Sequence, residues 1–291
     1  MDVGGSHVTA AVLDPADLGA VVPVRTADID PHASRGALLD QLAAPARAVA
    51  DGAPLAGWVV AMPGPFDSSA GRGTFAGVDK FAALAGVDLR DALAARLDVA
   101  PALVRFCNDA VAYGIGEWAA GAGAGVGRMV CITLGTGVGS AFLADGVEVD
   151  AGPTVPANGE VHRLTIAGRP LERTMSSPAL RDAHRDRTGQ ERSVEKICAR
   201  ARAGDAVAGA VVDTALEALG AAVGPWVDRF GADAVVVGGS IARSWDVVGP
   251  PFRRGLASVG VTGPLVVPAT LGARAPLIGA AVRWEQDAAG R

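Results

Sequence analysis

Cysteine, lysine and aromatic side chains are all scarce in this sequence. Its 291 residues include 3 cysteines, 1 tyrosine and 7 phenylalanines, and only Lys80 and Lys196 among the 26 basic residues are lysines. The cysteines, Cys107, Cys131 and Cys198, are odd in number and follow no spacing pattern. That excludes a disulfide framework and fits reduced thiols of a cytosol. Also absent is any run approaching ~18 consecutive apolar residues, so no membrane span is expected. The start, Met1-Asp2-Val3-Gly4, has neither the basic region nor the apolar stretch of a secretory leader, and none is expected. A basic surplus is missing too: the formal net charge is −5, against the footprint of a nucleic-acid binder. These absences leave a soluble cytoplasmic protein with neither nucleic acid nor membrane as partner.

What is present is globular. Half the residues are apolar and 20% are charged, with few aromatics, so Ala, Val and Leu must build the core. Abundant Arg and Ala read as the coding bias of a GC-rich genome. Gly (39) and Pro (18) together make about a fifth of the chain, below the range of low complexity. The length predicts two lobes.

Local patterns predict alternating strands and helices, an α/β chain. Strands are expected at His7–Leu13, Leu55–Met62, Ala102–Phe106, Arg128–Leu134, Ser140–Leu143, Ala234–Val237 and Leu265–Val267. Helices are expected at Leu38–Val49, with Pro45 a candidate break. Others follow at Leu89–Leu97 behind the cap Asp88, from Asn108-Asp109 to Ala120, through Ser177–Phe230, and at Pro276–Trp284. Pro153–Pro170 reads as a polar, irregular, site-bearing loop. Three strands run into glycine turns: Asp2-Val3-Gly4-Gly5-Ser6, Leu134-Gly135-Thr136-Gly137 and Val237-Gly238-Gly239-Ser240. The first two each lead into another strand, a weak internal repeat that favours two similar lobes.

Glycine turns let backbone N–H groups approach an anion. A P-loop is excluded because neither lysine follows a glycine. The dinucleotide fingerprint fails because Ser140 stands where the third glycine belongs. His184-Arg185-Asp186 imitates a protein-kinase catalytic loop, but Glu191 replaces its Asn and the other kinase motifs are missing. His184–Asp186 is therefore expected to be a solvated helix face.

The motifs that remain are Asp2-Val3-Gly4-Gly5-Ser6, Met62-Pro63-Gly64-Pro65, Asn108-Asp109-Ala110, Gly116-Glu117, Leu134-Gly135-Thr136-Gly137-Val138-Gly139 and Val237-Gly238-Gly239. Each is weak alone; in this order they resemble the ROK family of sugar kinases over nearly the whole chain. Gly77-Val78-Asp79-Lys80 and Gly168–Arg173 are most similar to the polyphosphate/ATP glucokinase branch, and amino-sugar (kanosamine-type) kinases are another relative. The resemblance implies a two-lobed actin/hexokinase-like (ribonuclease H-like) α/β fold with the active-site cleft between the lobes. The expected division is a small lobe of residues 1–106, rejoined by 277–291, and a large lobe of 107–276. A homodimer is also implied.

It further implies transfer of the ATP γ-phosphate to the 6-hydroxyl of glucose or an amino-glucose, with Mg²⁺. Asp109 would be the general base; on local grounds Asn108 or Asp109 is equally an N-cap. Asn108, Gly64, Glu160 and Glu172 would touch the sugar. Asp2 would place Mg²⁺ through water, since Mg²⁺ keeps several waters and few carboxylates. Gly4, Gly5 and Ser6 would face the transferring phosphate, Gly135, Thr136 and Gly137 the other phosphates, and Gly238, Gly239 and Ser240 the adenosine. Plain hairpins and a strand-to-helix turn are the structural alternatives for these glycines.

The sequence departs from the family in four places. The sugar loop reads Glu160-Val161-His162-Arg163 in place of Glu-x-Gly-His, so either His162 or Arg163 takes the histidine role. Gly77 replaces a sugar-contacting Asn. No cysteine lies between Glu160 and Glu172, so the zinc site of many relatives is not expected. The apolar strand that precedes Asp-x-Gly-Gly in the family is reduced to Met1, so either the true start lies upstream or the small lobe is weakened. Three alternatives stay open beside the ATP-dependent kinase. Polyphosphate could be the donor, although a polyanion favours a basic groove. The chain could bind sugar with weakened or no catalysis. It could be a repressor, but the helix-turn-helix that such relatives carry ahead of the kinase-like fold is not in this sequence.

Overall fold

The computed structural model describes residues 1–19, 21, 23–77 and 80–289. The chain forms two compact units, Met1–Ala120 with Ala273–Arg291, and Gly121–Gly272. The expected segment Gly77–Lys80 is described only at its ends, because Val78 and Asp79 lie outside the described residues.

The first unit is built on five strands: β1 (Asp2–Val3), β2 (His7–Ala11), β3 (Val24–Asp28), β4 (Trp58–Met62) and, after a small hairpin β5 (Phe66–Asp67) and β6 (Arg72–Gly73), β7 (Val104–Asn108). Their order is β3-β2-β1-β4-β7. β1 pairs antiparallel with β2 and parallel with β4, and β4 pairs parallel with β7, Met62 opposite Asn108. Parallel central strands are buried on both faces, and all five β4 residues are buried. The period of two sends Trp58, Val60 and Met62 to one core with Leu38, Leu42 and Leu93, and Val59 and Ala61 to the other with Cys107, Ala112 and Ala280.

The first helix, α1 (Arg35–Ala50), starts at the cap Ser34 and runs through Pro45. The expected break does not occur: Pro45 is buried beside Leu42, Ala46 and Val49, and this sheet-facing burial outweighs the one lost backbone bond. α2 (Leu89–Leu97) is capped by the Asp88 carboxylate, which accepts from the Asp91 amide at 3.2 Å. Before β7, Pro101 opens a 3₁₀ turn at Pro101–Leu103. The strand therefore starts and ends two residues later than the alternation suggested. β7 hands Asn108 directly to α3 (Asp109–Ala120).

α3 packs on the C-terminal helix Ala275–Ala289 at very close range. A Cβ on Gly116 would fall well inside 3.0 Å of the Ala275 carbonyl oxygen, and one on Gly279 equally close to that of Ala112. This crossing corrects the expected division near Cys107: α3 belongs to the first unit, and the boundary falls after Ala120. β1 is two residues long. A cavity of about 130 Å³ beside it is lined by Met1, Ala11, Val12, Trp58, Val59 and Trp284, among others.

The second unit repeats the strand order. β8 (Arg128–Leu134) and β9 (Val138–Ala144) form a hairpin, β10 (Val147–Glu148) extends it, and the short pair β11 (Thr165–Ile166) and β12 (Arg169–Pro170) lies in the polar loop. β13 (Ala234–Gly238) and β14 (Leu265–Pro268) complete the order β10-β9-β8-β13-β14, with β13 parallel to both neighbours. In each sheet the first strand is central, its hairpin partner and the third strand lie antiparallel on one side, and two parallel strands follow on the other. The weak glycine-turn repeat in the sequence corresponds to this shared topology.

Helices α4 (Ser177–Thr188), α5 (Val194–Arg202), α6 (Ala206–Phe230), α7 (Gly239–Ala242) and α8 (Trp245–Ser258) follow. By length and composition α6 could cross a membrane. Here its Val212, Leu216, Leu219, Val223 and Val227 sit in the core with Val130, Ile132 and Val235. Its outer side carries Asp213 and Glu217, both paired with Arg254.

Candidate active site

In the first unit the candidate residues gather at the carboxyl ends of β1, β4 and β7. These three neighbours run parallel, so their ends share one edge of the sheet, where ligands bind in α/β folds. β1 delivers Asp2 and the turn Gly4-Gly5-Ser6, β4 delivers Gly64, and β7 delivers Asn108 and Asp109. The turn is closed by the Gly4 amide donating to the His7 carbonyl at 2.8 Å. The His7 ring lies over Gly4, 3.0 Å from where a Cβ would stand.

Asn108 and Asp109 divide the labour that the sequence left open. The Asn108 Oδ1 accepts from the amides of Ala110 (2.9 Å) and Val111 (3.2 Å), which makes Asn108 the cap of α3. Asp109 accepts the adjacent Ala110 amide at 2.9 Å and its own backbone amide. Burial first, and the neighbouring Asp2 carboxylate second, push the Asp109 carboxyl up to about 6, against the pull of the Ala110 amide and the Lys80 ammonium. Burial likewise raises Asp2, offset by the N-terminal amine and His7. A carboxyl poised near neutrality at a strand's carboxyl end is suited to general-base work.

In the second unit, the turn Gly135-Thr136-Gly137 follows β8, and Gly238-Gly239-Ser240 follows the adjacent, parallel β13. The two turns touch: a Cβ on Gly135 would lie 3.8 Å from the Ser240 Oγ. Gly239 has φ +87° and a Cβ there would collide with the Leu134 backbone, so this position requires glycine. The Gly135 carbonyl accepts from the Ser177 amide at 2.8 Å, and Thr136 is exposed.

The polar loop is tied to the same strands. Ser140 Oγ donates to the Gly159 carbonyl (2.6 Å) and accepts from the Val161 amide (3.0 Å). That fixes the short turn Val161–Arg163, with Val161 buried, His162 half-buried and Arg163 exposed and ion-paired to Glu160. Glu172 reaches back and accepts the Val138 amide at 2.7 Å. Among the described residues no cluster of three His, Cys, Asp or Glu side chains could hold a metal ion.

Two residues at the first-unit site escaped the sequence reading of roles, His7 and Lys80. Their signal is tertiary: both lie against the Gly4-Gly5 turn, and Lys80 is distant from it in the chain. One expectation is overturned. His184 is not solvated but only 1% exposed. It shares the inner face of α4 with Leu180 and lies 3.2 Å from the Gln190 carbonyl and 3.3 Å from Thr188 Oγ1. Arg185 and Asp186 are solvent-facing.

Comparison with known proteins places the fold. The chain is 28% identical over 280 residues to a glucokinase from Thermotoga maritima, covering 87% of this chain and 84% of that protein. The structure is similar to a ROK hexokinase from Thermus thermophilus (TM-score 0.81, 22% identity, 98% of this chain and 97% of that one). It is also similar to a ROK family glucokinase from Streptomyces griseus in complex with glucose and AMPPNP (TM-score 0.77, 24% identity, 98% of each chain). The mixed α/β, two-sheet fold is thus the actin/hexokinase-like fold of ROK sugar kinases. The model of the ROK family matches residues 1–287, and the chain belongs to that family.

Proposed function

We propose that the protein is an ATP-dependent sugar kinase that phosphorylates the 6-hydroxyl of glucose or an amino-glucose. The observation that carries this reading is Asp109, a carboxyl titrating near 6 at the junction of β7 and α3. Above that pH its carboxylate accepts the proton of the sugar hydroxyl as the oxygen attacks the γ-phosphorus. The new O–P bond forms as the bond to the ADP oxygen breaks, and the proton ends on Asp109. A positioned base supplies roughly 10²–10⁴ in rate.

The roles divide by unit. In the first, Gly4, Gly5 and Ser6 face the transferring phosphoryl group, and Asn108, by capping α3, fixes where Asp109 points. In the second, the Thr136 hydroxyl and the amides of Thr136 and Gly137 bind the remaining phosphates, the Gly135 amide closing the turn onto the Gly137 carbonyl at 3.0 Å, and Gly238–Ser240 bind the adenosine. Glu160, His162 and Glu172 bind the sugar. The Arg163 guanidinium is engaged by Glu160, which favours His162 for the histidine role. Mg²⁺ fits the first unit's donor set: the Asp2 carboxylate lies close enough to Asp109 to raise its protonation, and Mg²⁺ takes few carboxylates with several waters. Asp2 would hold it through water. When bound, it neutralises charge on the phosphates.

ADP release, measured over a panel of hexoses and amino-hexoses with ATP or polyphosphate as donor, tests the reading. Turnover of one sugar with ATP, abolished in Asp109→Asn, is expected. Sugar binding by calorimetry without phosphorylation from either donor would sink it, and turnover with polyphosphate alone would overturn the ATP assignment. Light scattering tests the expected homodimer.

A further inference from the structure

The first unit's site holds two buried or half-buried carboxyls, Asp2 and Asp109, at the place where a phosphoryl group is to be transferred. Phosphoryl oxygens carry negative charge, and two carboxylates repel them. The described charged or titratable groups acting on these two are His7, Lys80 and the N-terminal amine, and the amine donates to the Val59 carbonyl at 2.7 Å while His7 and Lys80 lie against the glycine turn.

Lys80 is placed there by its neighbours. Phe81 is fully buried and packs edge-on to Phe75, with 5.7 Å between ring centroids. The Phe81 amide donates to the Pro31 carbonyl at 2.9 Å. A buried aromatic next in the chain pins the backbone, and the Lys80 ammonium lies 5.9 Å from that ring's centroid. The side chain then runs along the glycine turn: its Nζ and Cδ are each 3.8 Å from where a Cβ of Gly5 would be. Because Gly5 has no side chain, the Lys80 ammonium and the turn face the same space.

We infer that Lys80 is a catalytic residue that contacts the transferring phosphoryl group beside the Gly4-Gly5 turn and offsets the charge of Asp2 and Asp109. The inference rests on the kinase reading above. It differs from a structural role for the loop, because a compact ammonium on a flexible stem can follow phosphoryl oxygens as they move from donor to acceptor. A guanidinium fork is planar and larger, and does not substitute freely at such a point. The other lysine, Lys196, lies exposed on α5 in the other unit and serves as an internal control.

The test has two parts, both on the full chain. Steady-state kinetics compare wild type, Lys80→Met, Lys80→Arg and Lys196→Met, each checked for an unchanged melting temperature. Lys80→Met is expected to lower kcat about 10²–10³-fold, the range for losing one charge-stabilising donor, with the sugar KM within about threefold. Lys80→Arg is expected to recover only part of kcat, and Lys196→Met to match wild type. An active wild type whose Lys80→Met retains kcat within about threefold overturns this inference alone, whereas a wild type with no turnover on any sugar overturns the kinase reading. The second part is amine acylation read by peptide mass spectrometry, which needs no turnover. AMPPNP with Mg²⁺ and sugar is expected to slow labelling of Lys80 at least about fivefold while Lys196 labels unchanged. Equal labelling of Lys80 with and without the nucleotide overturns the proposed contact.

Discussion

Replacing Asp109 by Asn is expected to stabilise the protein at neutral pH while removing its activity. The carboxyl titrates near 6 in the fold against 3.8 as an ordinary aspartate. Between those values the folded state keeps a proton that the unfolded chain has released, so stability falls as pH rises through this window. By pH 7.5 the accumulated cost is about 3 kcal/mol. Asn removes the charge, keeps the shape, and retains an oxygen for the Ala110 amide. The variant should therefore match wild type near pH 4 and gain on it progressively up to pH 7. With roughly 2–4 °C per kcal/mol at this size, the melting point at pH 7.5 should rise by about 6–12 °C. The comparison belongs in EDTA, because a bound cation would offset the Asp2–Asp109 repulsion. Thermal melts by circular dichroism at pH 4, 5, 6, 7 and 7.5 provide the curve. A variant less stable than wild type at pH 7.5, or a difference that does not change with pH, would refute the desolvated-base argument.

Three further outcomes follow from the same geometry. The kcat/KM of the wild type should fall on the acid side with an apparent pKa near 6, that of the Asp109 carboxyl in the free enzyme; a flat kcat/KM from pH 5 to 8 contradicts that. Gly279→Ala forces a methyl into the Ala112 carbonyl, so α3 and the C-terminal helix must separate. A loss of about 1–3 kcal/mol or more, together with reduced turnover because α3 carries Asp109, is expected in melts and assays; an unchanged melt contradicts the close crossing. Glu172→Gln weakens the charge-assisted bond to the Val138 amide and is expected to raise the sugar KM roughly tenfold, about 1.4 kcal/mol, with little change in melting. An unaltered KM would remove Glu172 from the sugar site.

The parts of the site made by local chemistry were legible in the sequence. A strand that runs into Gly-Gly or Gly-Thr-Gly must turn there, and an apolar strand followed by Asn-Asp and a helical pattern must end near that pair. Legibility stopped where a residue's surroundings come from elsewhere in the chain. His184 lies in a helix whose Asp182, Arg185 and Asp186 made the whole face look wet, and only packing reveals the inward pair Leu180 and His184. The boundary at Ala120 depends on Gly116 and Gly279 meeting across two distant helices. Lys80 looks like an ordinary loop lysine until Phe81 anchors it beside Gly5. The N-cap role of Asn108 was weighed from sequence, but only the two amides on its Oδ1 separate it from Asp109.

The repeated topology also explains why the two glycine turns are not equivalent. Aligned on their first glycines, Asp2 in the first unit corresponds to Thr133 in the second. The strands next to β1 and β8 end in Met62 and Gly238, and the outermost parallel strands end in Asn108 and Pro268. Asp109 follows directly in the first unit, whereas Ala269 follows in the second. One set of strand ends therefore carries ionisable groups, whereas the strand ends of the other carry none, and the Glu172 carboxylate at its first turn arrives from the polar loop. A neutral edge of amides can bind phosphates without titrating at working pH. A charged edge can move a proton and set field strength, but must balance its own carboxylates. On the proposed reading, this is why the base Asp109 and the balancing cation Lys80 occur together in the first unit, while the nucleotide-holding turns of the second have neither.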